Sequence, residues 1–222
     1  MKKTVVIISI LIMMACLSAF TIEDDNEIDT FSLENLIDYQ KKYATEELEV
    51  CASNSAKTYM DYRMTTVVSS RQYQFIHNEL TIDYNTGFLV DDDGFIAVAL
   101  GSYYGQIGDR FYFTLDSGII LPLVKAEEKA DVDTDSSGCY HLDDSSVMEF
   151  VIDDDYAAAY FGSRSNGLVL DGNYNNYYLF SGDIVKVERV LDEYNDKYVT
   201  YSIEPQITKK DNIFNYASGY RY

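Results

Sequence analysis

The chain has 222 residues, with 17 Lys+Arg against 37 Asp+Glu, a formal charge of −20, two His, three Cys and no Trp. That charge repels phosphate backbones and anionic headgroups, which argues against a nucleic-acid partner, because such binding needs basic side chains to displace counterions. With two His and neither a CxxC nor an HExxH spacing, no zinc centre is expected, and no other cofactor motif is present.

Met1-Lys2-Lys3 is a basic start, residues 5–14 are an apolar run interrupted only by Ser9, and the small-residue stretch Ala15-Cys16-Leu17-Ser18-Ala19 follows. This is the shape of a secretory signal over residues 1–22. The same segment is long enough to span a bilayer, so it reads either as a cleaved signal or as an N-terminal membrane anchor. Export permits disulfides. Cys51 and Cys139 lie beyond the signal, and the sequence leaves open whether they pair.

Residues 23–62 read as an acidic linker and a helical region. Residues 31–60 contain neither Gly nor Pro, and Ser32 suits an N-cap. Ala44, Leu48, Cys51, Ala52, Ala56, Tyr59 and Met60 recur at three-and-four spacing, which predicts an amphipathic helix with a break near Glu46-Glu47.

From residue 63 to 203 the pattern changes to short β runs, at 65–68, 72–77, 80–84, 95–100, 110–115, 119–124, 147–152, 184–191 and 198–203. Asp116-Ser117-Gly118 is a hairpin signal, and Asp91-Asp92-Asp93-Gly94 and Asp153-Asp154-Asp155 read as solvated turns. Residues 166–182, rich in Gly, Asn and Tyr, read as a long loop whose Tyr174, Tyr177 and Tyr178 serve either packing or a sugar platform. Residues 204–222 read as a C-terminal tail. Short strands without intervening helices predict a mainly β fold, a compact barrel with the helix packed outside it.

Residues 98–153 carry the candidate chemistry. A buried strand ends in a Gly/Tyr turn at Gly101 to Gly105, a hairpin follows, and a further strand delivers Asp131, Asp133 and Asp135 into a polar loop. In an extended chain these alternate residues share one face. Crowded carboxylates cannot all ionise freely, so one should be held protonated. A protonated acid is what cleavage of a glycosidic bond requires. Glu149 lies in the next apolar strand and is the expected second acid.

The order Val98-Ala99-Leu100, then residues 107–113, then Ala130-Asp131-Val132-Asp133-Thr134, then Val147-Met148-Glu149-Phe150 resembles the three-aspartate (3D) domain of bacterial cell-wall proteins. That domain shares a double-psi β-barrel with the membrane-bound lytic murein transglycosylase A family. The resemblance implies cleavage of peptidoglycan glycan strands, with Asp131 or Asp133 as the catalytic acid and Glu149 as the second. It also makes Tyr103, Tyr104, Thr134, Asp135 and His141 the candidate substrate contacts. Asp135-Ser136 stands where the family has Gly-Gly, Glu149 where it has Asp, and the insert around His141 is foreign to the family. A second reading is a non-catalytic barrel that binds wall glycan or a protein. Asp131-x-Asp133-x-Asp135 also starts like a calcium loop, but Ser136 and Leu142 occupy the positions where an EF-hand needs Gly and Glu.

Overall fold

The computed structural model of the protein describes residues 31–51, 56–163 and 172–195. The predicted signal segment, the acidic linker up to residue 29, the strand at 198–203 and the C-terminal tail lie outside the described residues. Every described element belongs to the unit that begins at Ser32. Among the described residues no helix is long and apolar enough to cross a membrane.

Nine strands form one mixed sheet among the described residues: β1 Thr45–Leu48, β2 Lys57–Asp61, β3 Thr81–Ile82, β4 Leu89–Val90, β5 Ile96–Leu100, β6 Arg110–Leu115, β7 Ile120–Glu128, β8 Met148–Ile152 and β9 Ile184–Val190. Among the described residues three α-helices accompany it: α1 Arg71–Asn78, α2 Asp154–Phe161 and α3 Asp192–Asn195. Neighbouring strands follow the order β1-β9-β6-β7-β5-β4-β3, and β8 pairs with both β5 and β2. The protein is mainly β, as its train of short apolar runs predicts. Among the described residues the sheet is open, with β1, β2 and β3 as its edges, where the sequence predicts closure. Closure needs two matching edges. Here β3 has only two residues, and β1 carries exposed Glu46 and Glu47.

Among the described residues the helix predicted over 31–60 does not form. In its place stand a 3-10 turn, Leu33–Leu36, and strands β1 and β2. Tertiary partners override the helical spacing. Glu46 pairs with Arg189 at 2.8 Å and Glu47 with Lys186 at 3.4 Å, both across to β9. Cys51 is bonded to Cys139, and buried Lys57 donates to the Gly182 carbonyl at 2.6 Å.

The strand predicted at residues 72–77 is helix α1. The Ser70 hydroxyl accepts from Tyr73 N and caps it, and Phe75 and Ile76 turn into the core. A window of six residues containing three rings and a β-branched side chain fits either element, and the cap decides.

In each acidic run read as a solvated turn the first Asp is buried and structural, while Asp92, Asp154 and Asp155 are exposed. Asp91 is 4% exposed and accepts from Arg110 Nε at 2.8 Å. Arg110 in turn lies over the ring of Phe95, 4.9 Å from its centroid. Buried Asp153 caps α2 by accepting from Asp155 N and Tyr156 N. Gly87, with φ +78°, lets α2 start hard against the β3–β4 turn, because a Cβ there would collide with backbone atoms of Asp153 and Ala157.

Successive residues of a strand point to opposite faces, and each face has its own core. On one, Phe75 and Ile76 of α1 pack with Ala97, Val124 and Val151, flanked by Met60. On the other, the Phe88 ring lies 5.0–5.6 Å from those of Phe150, Tyr174, Phe161 and Phe180. Burying one such ring stabilises the fold by about 1.5–3 kcal/mol. Tyr174 thus serves packing, while Tyr178 is 58% exposed.

Candidate functional site

The Asp131–Asp135 run is folded as a turn, not extended. Asp133 N donates to the Ala130 carbonyl at 2.9 Å, which curls the chain and removes the shared face that alternation predicts. Asp131 and Asp133 are exposed, and Asp131 accepts from the Ser102 hydroxyl at 2.8 Å. Thr134 is buried, donates to the Asp131 carbonyl at 3.3 Å and bridges to His141.

Asp135 is the organiser of this insert. Its carboxylate accepts from the Ser137 hydroxyl and from the backbone N–H groups of Ser137, Cys139 and Tyr140. Those donors, the Ser137 side chain foremost, hold it well below the usual carboxylate range. A carboxylate so satisfied gives the loop its shape and has no proton to donate near neutral pH. His141 accepts from Asp143 N at 3.3 Å and lies 3.7 Å from Asp144.

The Gly/Tyr turn supports the insert as well. The Gly101 backbone passes so close to the Gly138 carbonyl that neither a Cβ nor a larger group fits there. Tyr104 is 1% exposed, and its hydroxyl lies 3.6 and 3.4 Å from the sulfurs of Cys51 and Cys139. These two cysteines form a disulfide with Cα atoms 6.1 Å apart. The Tyr103 hydroxyl donates to the Glu49 carbonyl at 3.2 Å. Of the candidate substrate contacts, Tyr104 and Thr134 are interior, and Asp135 is committed to its own loop.

Glu149 is placed differently. It is half-buried on β8, in register with Ala99 on β5 and with Thr58 on β2. On the other side of β5, Ala99 is in register with Glu127 of β7. The β5–β7 ladder slips between Val98 and Ala99, so Ala126 is skipped and Glu127 takes the position opposite Ala99. A bulge of this kind re-aims a side chain. The result is a row Glu127–Ala99–Glu149–Thr58, one step beyond the apolar core formed with α1.

Neighbours hold Glu127 on both oxygens. The Thr65 hydroxyl donates to its Oε2 at 2.7 Å, and Gln72 of α1 donates to its Oε1 at 3.3 Å. Burial pushes its carboxyl above the ordinary range and the charge of Glu149 adds to that, while the Thr65 bond opposes them. Lys129 is 7% exposed and donates to the Ser146 carbonyl and hydroxyl, both at 3.1 Å. Burial lowers its pKa, and Glu149 and Asp144 are the opposing charges that act on it.

Glu149 therefore meets an acid partner across the sheet, but the partner is Glu127 and not Asp131 or Asp133. The signal for Glu127 was the charged run Lys125-Ala126-Glu127-Glu128-Lys129, which the sequence reading leaves beyond a strand ending at residue 124. In the structure β7 continues through Glu128. Among the described residues no group of three or more His, Cys, Asp or Glu is placed to hold a metal ion.

No protein-family model, no curated protein and no solved structure matches this chain.

Proposed function

We propose that the protein is an exported cell-envelope domain that cleaves glycan strands by acid/base chemistry, with Glu127 as the acid and Glu149 as its companion. The carrying observation is the register that sets these carboxyl groups on either side of Ala99. Strand spacing puts their Cα atoms about 10 Å apart, room enough for a sugar ring between the side chains. The resemblance to 3D-domain transglycosylases supplies the substrate class. The two parallel pairs, β5–β7 and β2–β8, within an otherwise antiparallel sheet support a double-psi-like topology. The disulfide supports export, since such bonds persist in oxidising compartments.

In this reading protonated Glu127 gives its proton to the glycosidic oxygen as the bond to the anomeric carbon breaks. The carboxylate left behind takes the proton of the sugar's own 6-hydroxyl, whose oxygen closes on the anomeric carbon. The products are an anhydro sugar end and a free hydroxyl, with no water consumed. The Glu149 carboxylate stabilises the positive charge that develops on the ring.

The placement of Asp131 and Asp133 on an exposed turn favours a second reading, a non-catalytic module that binds wall glycan or a protein. Incubation of the protein with purified peptidoglycan, followed by mass analysis of soluble fragments, separates the two. Anhydro-ended fragments from the wild type and from Asp131→Asn, but not from Glu127→Gln, support the first. Binding without release by the wild type establishes the second.

A further inference from the structure

We propose that Thr65 is a positioning residue for Glu127, its hydroxyl reversing its hydrogen bond as Glu127 loses and regains a proton. The proposal rests on the acid role given to Glu127 above. A carboxylate can only accept, whereas a carboxylic acid also donates, so a fixed donor such as an amide N–H suits one state and opposes the other. A hydroxyl both donates and accepts. It rotates to serve either state without moving a heavy atom, and its bond to the carboxylate is the stronger of the two because it is charge-assisted.

The geometry favours Thr65 for this task over the other contact of Glu127. Thr65 is 5% exposed and 2.7 Å from Oε2, whereas the Gln72 amide stands off at 3.3 Å on Oε1. The backbone of Thr65 is held as well, because its N–H donates to the Tyr62 carbonyl at 3.3 Å and closes the Tyr62–Met64 3-10 turn. With Gln72 donating to Oε1, the proton is confined to Oε2, the oxygen that Thr65 serves. The charged group facing Glu127 is Glu149 of β8. Thr65, Gln72 and Ala99 are neutral, and Lys129 further along the chain is turned to Ser146. The segment leading into α1 thereby reaches the acid through one oxygen atom.

The test compares the wild type with Thr65→Val, which keeps the shape and removes the hydroxyl, and with Thr65→Ser, which restores it. The titration of the Glu127 carboxyl is followed by carbon NMR in the intact protein. Loss of a hydrogen bond that favours the charged form should raise the midpoint by about one pH unit in Thr65→Val. Thr65→Ser should return it to the wild-type position. Where peptidoglycan is cleaved, the pH–rate profile should shift by the same amount. An unchanged midpoint in Thr65→Val overturns the proposal whatever the activity. A shifted midpoint in a protein that releases no fragments leaves the Thr65–Glu127 coupling standing and removes the cleavage reading instead. If Thr65→Val does not fold, the comparison passes to Thr65→Ala, for which the same rise is expected and its absence is equally decisive.

Discussion

Glu127 and Glu149 stand in register on opposite sides of Ala99, so carboxyl groups from the two strands that border β5 at that point flank a single methyl group. Burial and the charge of Glu149 raise the pKa of Glu127 above the ordinary carboxyl range, against the Thr65 hydrogen bond. That pairing yields the most direct expectation.

Glu127→Gln should lower glycan release at least about a hundredfold, the usual scale for removing a general acid. It should also stabilise the protein near neutral pH. Folding raises the Glu127 pKa from 4.5, so between that value and the raised one the folded protein binds more proton than the unfolded chain. Stability from this group therefore declines as pH rises through its raised pKa, and Gln, which cannot ionise, removes the decline. Thermal melting of both proteins between pH 4 and pH 8, on the order of the carboxyl titration range, checks it. Equal pH dependence in the two would refute the burial account.

Arg110→Ala should destabilise the fold by about 3–5 kcal/mol, the cost of leaving a buried carboxylate without its partner. Arg110 Nη2 lies 2.7 Å from Asp91 and 2.8 Å from Asp93, and the guanidinium also covers the rings of Phe95 and Tyr43. Urea unfolding gives the number. A loss near zero would show that Asp91 reaches water or is protonated once Arg110 is gone.

Replacing Cys51 and Cys139 together by Ser should cost about 2–5 kcal/mol, since the bond closes a long loop in the unfolded chain. The two residues are 88 apart in sequence. The loss should appear equally when the wild type is melted under a dithiol reductant. Melting that ignores the reductant would mean that the bond is not formed in the protein as produced.

Lys57 carries a pH effect of the opposite sign to that of Glu127. Burial lowers its pKa to about 8 from 10.5, against the pull of Asp183 and Asp116. Between those values the unfolded state keeps the proton and the folded state has lost it, so stability should rise with pH across that window. A buried cation costs the fold about 3 kcal/mol below the window by the same measure. The wild type should therefore gain on Lys57→Met as pH climbs from 8 to 10.5. Parallel curves for the two proteins would place the titrating group elsewhere.

Composition and period settled the mainly β character, because apolar runs such as Ile96–Leu100 and Met148–Ile152 are too short for helices and bury nearly every side chain. They also placed Glu149 as a polar interruption in a buried strand. The chemistry of the acid cluster was legible only as chemistry. Which carboxylates meet depends on strand register, and register is set by pairings between residues far apart in the chain. The slip at Val98/Ala99 brought Glu127 opposite Ala99, while the turn closed by Asp133 N sent Asp131 and Asp133 outward. Residues 31–60 show the same limit. Their spacing fits a helix, yet Arg189, Lys186 and Cys139 draw them into strands and a cross-link, and no local pattern announces partners more than 80 residues away. Local sequence determined which segments could be buried. Only the assembled sheet decided which acids would share a face, because a carboxylate's proton affinity depends on its desolvation and on the charges brought beside it.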